Sequence, residues 1–299
     1  MCFESPYLLP KIALVILVFT LGSAPRCYCE TIPAPESTEL KWEQGYGTSM
    51  ELAKKSGRML CIYFFDDASD PDLWHRWVEI EQEEFSKIAS RFIFCRISTD
   101  QHESVGGEKI RLLKHEAFRE MQDSPGIALI DCRDEDSATF GEVVSVFPQS
   151  STRDLSPAVL QKLFRLPTGT LTQRSLVLAV SLHSDEPKSI QGTWHTVLVS
   201  AAESHSERQA ELRRQGHHGW SQRFQELMKQ LGGNLKPQEV CAESWPHQDL
   251  MDAAEECVSS WRQSSGHWQA VSAQQAVFAY DMKKGSNGIW YATGIFAHE

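Results

Sequence analysis

An apolar run, Ile12–Leu21, interrupted only by Thr20, follows Lys11 and leads into Gly22, Ser23 and Ala24. This charged, apolar and small-residue order is that of a secretory signal, and predicts removal of residues 1–24 near Ala24. The run is shorter than the roughly 20 apolar residues a comfortable membrane span needs. Export is therefore expected (periplasmic, cell-envelope or secreted), with a membrane link only if the signal segment stays uncleaved. A Pro-rich linker, residues 25–39, follows.

Beyond the linker the pattern alternates between helical and strand periods. Helices are predicted over Trp42–Ser56, Trp74–Ser90, Lys109–Gln122 and Pro157–Leu166. Strands are predicted over Met59–Phe65, Phe92–Thr99, Gly126–Cys132 and Val143–Phe147. The run Met59–Phe65 is almost continuously apolar, as a strand buried on both faces must be. Helices alternating with such strands predict a parallel or mixed sheet covered on both sides. The turn-rich Leu166–Thr170 marks a boundary.

The later part reads differently. Trp220, Phe224, Leu227, Met228 and Leu231 share one helical face, which Gly232 and Gly233 end. Ala254, Cys257, Val258 and Trp261 share another, with Gly266 as its expected stop. Val277–Lys284 and Ile289–Phe296 flank Gly285–Gly288, whose Asn-Gly pair predicts a hairpin with a type I′ turn. The expected class is α/β over residues 40–166, followed by α+β over residues 171–299.

Charge and composition sharpen the division. The 299 residues carry a net charge of −11, which disfavours nucleic-acid binding. The first 170 residues hold 18 basic and 26 acidic side chains; the rest hold 11 and 14, with eight of the eleven His and six of the nine Trp. The eight cysteines form no repeated framework, and signal removal leaves an odd number. Cys61, Cys95 and Cys132 sit in strand-like runs and read as buried free thiols.

Trp42, the segment Ala53–Arg58 leading into Leu60–Phe65, then Phe92–Thr99 and Ser124-Pro125-Gly126 resemble a thioredoxin-like domain. In that family a Cys-x-x-Cys loop follows the first long strand, and a cis-proline faces the thiols. Pro125 matches the proline. The loop Asp66–Asp72 contains no cysteine, so the low-pKa thiolate that disulfide exchange requires is missing. The resemblance thus implies a thioredoxin-like shape without redox activity; a thiol-redox protein or chaperone working through Cys95, Cys132 or Cys61 is the competing expectation.

In the later part, His217-His218-Gly219-Trp220, Glu239–Glu243, Trp261–Trp268 and the aromatic run Gly288–Phe296 are similar, in that order, to the CAP superfamily of cysteine-rich secretory and pathogenesis-related proteins, bacterial type (the SCP domain). The resemblance implies an α/β/α sandwich with a central cleft. It assigns His217, with His218 as alternative, Glu239 and His267 to that cleft, and Trp268 to its wall. The second cavity glutamate of the family is replaced near Ser264, and Val240-Cys241 replaces Asn-Ile. Two imidazoles and one carboxylate match a zinc-binding set with an open position, can also serve as acid and base, or can satisfy one another. The resulting expectation is an exported two-domain binding protein. Its cleft takes a small apolar ligand, an ion or a cell-envelope component; it needs no cofactor, and zinc held by His217, Glu239 and His267 is the candidate cation. A metal-dependent hydrolase on those three residues is the enzymatic alternative.

Overall fold

The computed structural model describes residues 40–299, apart from residues 81 and 106; the expected signal segment and linker lie outside these residues. The chain begins with a short strand, β1 (Trp42–Glu43), and a helix, α1 (Tyr46–Ser56). Trp42 was expected to be helical. It instead pairs with Phe94 of β3 (Phe92–Ser98), and its ring packs edge-on 5.0 Å from Trp74 and 5.8 Å from Phe94. Gly57, at φ 60°, ends α1 in the left-handed conformation that glycine adopts without strain. The chain then enters β2 (Met59–Phe65), buried along six of its seven residues.

Helices α2 (Leu73–Ile80) and α3 (Gln82–Ala89) fill the expected helical stretch ahead of β3. The expected helix Lys109–Gln122 is absent. That stretch follows a hairpin strand, β4 (His102–Val105), and contains its partner β5 (Glu108–Arg111), then two 3₁₀ turns, Leu112–Lys114 and Glu116–Met121. Gly107, at φ 88°, supplies the positive φ for the tight connection. Leu112, Leu113, Phe118 and Met121 still bury their side chains, so the apolar spacing was a core signal rather than a helical one. Strands β6 (Gly126–Ile130) and β7 (Val143–Pro148) complete a mixed sheet ordered β1-β3-β2-β6-β7. β1, β3 and β2 are parallel, whereas β6 and β7 are antiparallel to their neighbours.

Helix α4 (Pro157–Phe164) starts at an N-cap, Ser156, with Pro157 in the first turn. The turn-rich boundary leads directly into α5 (Leu171–Leu182), where Thr170 and Gln173 form a reciprocal capping box. Then come β8 (Thr193–Trp194), α6 (Thr196–Leu212), α7 (Trp220–Gln230), β9 (Lys236–Glu243), α8 (Leu250–Gln263), α9 (Ser265–Ser272), β10 (Val277–Lys284) and β11 (Trp290–His298). Gly266 does not stop α8; the break falls at Ser264, and Gly266 lies in the first turn of α9. The hairpin forms as expected, but with a different turn. Gly288 has φ 77° and Asn287 is not at positive φ, while Gly285 N–H donates to Ile289 O at 2.8 Å. That pattern suits a longer loop whose last residue is left-handed.

The second sheet runs β8-β10-β11-β9, with β9 at an edge that no other described strand pairs. Its side chains alternate between two layers. Val240, Ala242, Phe278, Tyr280 and Met282 join the large core with α5, α8 and α9. Val277, Ala279, Ile295 and Ala297 pack against Leu198, Ala202 and Leu227 of α6 and α7. Alternation along β9 therefore turns Glu239 and Cys241 toward the α6–α7 layer. The protein is a mixed α/β fold, and the large core is continuous from the first sheet to the second.

Two arginines lock that junction. Arg174 of α5, 2% exposed, donates to Ser145 Oγ at 2.7 Å and to the carbonyls of Leu166 and Pro167 at 3.2 and 2.6 Å. Arg153, 9% exposed, pairs with Asp252 and reaches Asp249 at 3.7 Å and Glu255 at 3.6 Å, all in or beside α8.

Candidate functional site

Glu239 anchors the site from the middle of β9, with its side chain fully withdrawn from solvent. Its two oxygens face different partners. Oε2 accepts from Arg223 of α7, with Nε at 2.8 Å and a second guanidinium nitrogen also bonded. Oε1 accepts from His217 Nδ1 at 2.9 Å. Burial alone would raise the Glu239 carboxyl; the bond from His217 and the charges of His205 and Arg223 outweigh it and hold the group below the usual range.

His205 reaches the same oxygen from α6. Its Nε2 lies 3.6 Å from Glu239 Oε1 and 2.9 Å from Gly216 O. A carbonyl only accepts, so Nε2 carries the proton, and Nδ1 is buried without a partner. Burial lowers the affinity of His205 for a second proton, with Glu239 opposing. Gly216 is fixed by a bond from its N–H to Gln209 Oε1 at 3.0 Å and has φ 150°. A Cβ there would meet the His218 ring at 3.3 Å.

Cys241, two residues after Glu239, faces the same way. Its Sγ is 3.5 Å from His205 Nε2, 3.7 Å from His217 Nδ1 and 3.8 Å from Glu239 Oε1. Burial and then the Glu239 charge push the thiol well up, which keeps it protonated in the absence of a cation. His205, Glu239 and Cys241 are all buried, and each offers one donor atom; together they can hold a metal ion.

The expected cleft residues divide. His217 bonds Glu239 at 2.9 Å, and its ring lies 5.7 Å from that of His267. Burial, followed by His217, lowers the His267 pKa. His218 is bonded elsewhere, with Nε2 3.2 Å from Arg214 O, while its ring lies 6.3 Å from that of His205. Trp268 is not part of this group. One residue on from His267, it lies about 100° further around α9, and its ring meets His183 at 4.8 Å and the Arg262 guanidinium at 5.3 Å.

Pro125 stands immediately before β6, and its carbonyl accepts from Gln149 N at 2.8 Å. The loop Asp66–Asp72 closes on itself, with Ser69 Oγ donating to Asp66 Oδ1 at 2.9 Å and Arg76 pairing with Asp70. The five described cysteines are unbridged and buried. Burial pushes both Cys95 and Cys132 up to about 11 and raises Cys61 well above the usual thiol range.

Sequence reasoning missed Arg223, His205 and Cys241. Cys241 had a usable signal, since i and i+2 on a strand share a face. His205 had none, because its partners come from another element. The chain matches none of the known family models and none of the curated proteins with which it was compared.

Proposed function

We propose that this chain is an exported binding protein whose CAP-like module holds a zinc-class cation on His205, Glu239 and Cys241, with His217 and His267 at the mouth. The observation that carries this reading is the spacing of the three donors: 3.5 Å for nitrogen to sulfur, 3.6 Å for nitrogen to oxygen and 3.8 Å for oxygen to sulfur. Tetrahedral zinc, with bonds of about 2.0–2.3 Å, separates such atoms by about 3.3–3.6 Å. A mixed nitrogen, oxygen and sulfur set suits zinc better than calcium or magnesium. Binding moves the His205 proton from Nε2 to Nδ1 and releases the Cys241 thiol proton, so affinity rises with pH. The bound ion would supply local positive charge and Lewis acidity.

Binding is preferred over hydrolysis on chemical grounds. Glu239, the carboxylate a hydrolase would use as base, is already engaged by Arg223 and His217. The first module acts as scaffold. Its mixed sheet, and Pro125 directly before β6, support a thioredoxin-like shape, while the loop after β2 carries aspartates where that family carries thiols.

Calorimetric titration with zinc tests the reading. One equivalent should bind to the wild type, and His205→Ala and Cys241→Ser should each weaken binding at least tenfold. Absence of binding to the wild type, or wild-type affinity in either variant, would refute it.

A further inference from the structure

Along the edge of β9, adjoining the cluster at Glu239, runs a groove of about 560 Å³. One wall is α7, through Trp220 and Phe224; the other is α9 and its exit, through Gly266, Ala270, Ala273 and Gln275. The floor is Lys236–Val240. We propose that this groove binds an extended polypeptide, which adds to β9 as a further strand.

The backbone supplies the first argument. In an antiparallel ladder, alternate residues direct their N–H and C=O toward the paired neighbour and away from it. Ser244 N–H bonds Trp290 O, which sets the even-numbered residues toward β11. Cys241 O instead receives Gln215 Nε2–H at 3.2 Å, so the odd-numbered residues face outward. Pro237 fits this phase: its missing N–H falls on the outward side, where proline is tolerated in a sheet. The carbonyl of Pro237, both polar groups of Glu239 and the N–H of Cys241 therefore form an outward row, the template on which strand addition depends.

The edge already takes an amide. The Gln215 side chain places an amide N–H on Cys241 O, where the N–H of an added strand would bond one position further along. A second polar group lines the groove. Gln275, 3% exposed, donates Nε2 to Ala270 O at 2.8 Å, while its Oε1 is buried without a partner. That oxygen requires a donor of the kind a peptide carries in abundance.

The walls set the side-chain chemistry. An added strand directs alternate residues to α7 and to α9. Trp220 and Phe224 offer aromatic surface on the first side. Gly266, Ala270 and Ala273 leave room for bulky apolar groups on the second. Five floor residues at about 3.4 Å each span about 17 Å, a match for a peptide of five or six residues. The fitting partner is thus an uncharged, extended segment rich in β-branched and aromatic residues. Its binding uses β9's backbone and needs no cation.

The test is fluorescence anisotropy on the full chain with a labelled peptide, acetyl-Thr-Val-Thr-Phe-Thr-Val-amide, and two versions N-methylated at alternate residues in opposite phase. Strand addition predicts that one methylated phase binds at least tenfold more weakly while the other binds like the parent, with and without chelator. Phe224→Ala should weaken the parent about tenfold while leaving zinc affinity unchanged. Equal affinity of both methylated peptides overturns the proposal, as does no binding of the parent up to about 1 mM. A dimer in sedimentation that the peptide does not dissociate also overturns it, by giving the edge to a second copy.

Discussion

Glu239 and Arg223 form the charge-neutral centre of the later module: a fully buried carboxylate oxygen accepts from guanidinium Nε at 2.8 Å, leaving the other oxygen for His217. The arginine's side chain is itself only 17% exposed. Replacing one partner of such a pair strands the other charge. Glu239→Gln is expected to destabilise the cation-free protein by about 2–4 kcal/mol in urea unfolding. A change under about 0.5 kcal/mol would show that the pair is not a structural element.

The thiols provide a second check. Cys61, Cys95, Cys132, Cys241 and Cys257 are buried with raised pKa values, burial being the largest cause in each. Cys132 additionally lies 3.6 Å from Met50 Sδ. In native protein at pH 8, peptide-resolved alkylation should leave these five unmodified over an hour and modify all of them after denaturation. Rapid native labelling of Cys61, Cys95 or Cys132 would restore a redox role to the first module.

The reading of the first module from sequence succeeded where a signal was local and strong. Met59–Phe65 is an apolar run with one structural solution, and it is β2. Lys109–Gln122 failed because Leu112, Leu113, Phe118 and Met121 bury themselves in 3₁₀ turns, and apolar spacing there does not distinguish the two helix types over so few residues. In the site, the sequence singled out His217, Glu239 and His267, of which His217 bonds Glu239 and lies 5.7 Å from His267. Trp268 was misplaced because neighbouring residues on a helix point apart. Arg223 and His205 were invisible, since only tertiary packing of α6 and α7 brings them onto β9.

Arg174 tests the junction of the two sheets. Its guanidinium satisfies Ser145 and two carbonyls at the end of α4. Burial pulls its pKa down to about 9. Arg174→Met removes those donors and leaves the three acceptors with fewer partners. The expected loss is about 2–4 kcal/mol in thermal or urea unfolding. Arg174→Lys should recover only part of it, because an ammonium cannot span the three acceptors.

Asp281 predicts a pH dependence. It is fully buried, accepts from Thr172 Oγ1 at 3.0 Å, and lies 3.4 Å from Lys283 Nζ, which also bonds Glu203 at 2.9 Å. Burial pushes its pKa up to about 6 against the opposing charge of Lys283. The folded state therefore holds this proton more tightly than the unfolded chain. Its contribution to stability is present below pH 4 and is lost as pH rises to about 6. Asp281→Asn should flatten that segment of the stability profile and raise stability at pH 7 by on the order of 2 kcal/mol. An unchanged slope between pH 4 and 6 would exclude this residue as the cause.

The most direct test of the cation site is cobalt(II) titration followed by absorption spectroscopy. Thiolate ligation by Cys241 predicts an intense sulfur-to-cobalt charge-transfer band that saturates at one equivalent, disappears in Cys241→Ser, and is displaced by zinc. Cobalt binding at one equivalent without that band, or a band unchanged in Cys241→Ser, would contradict a site built on His205, Glu239 and Cys241.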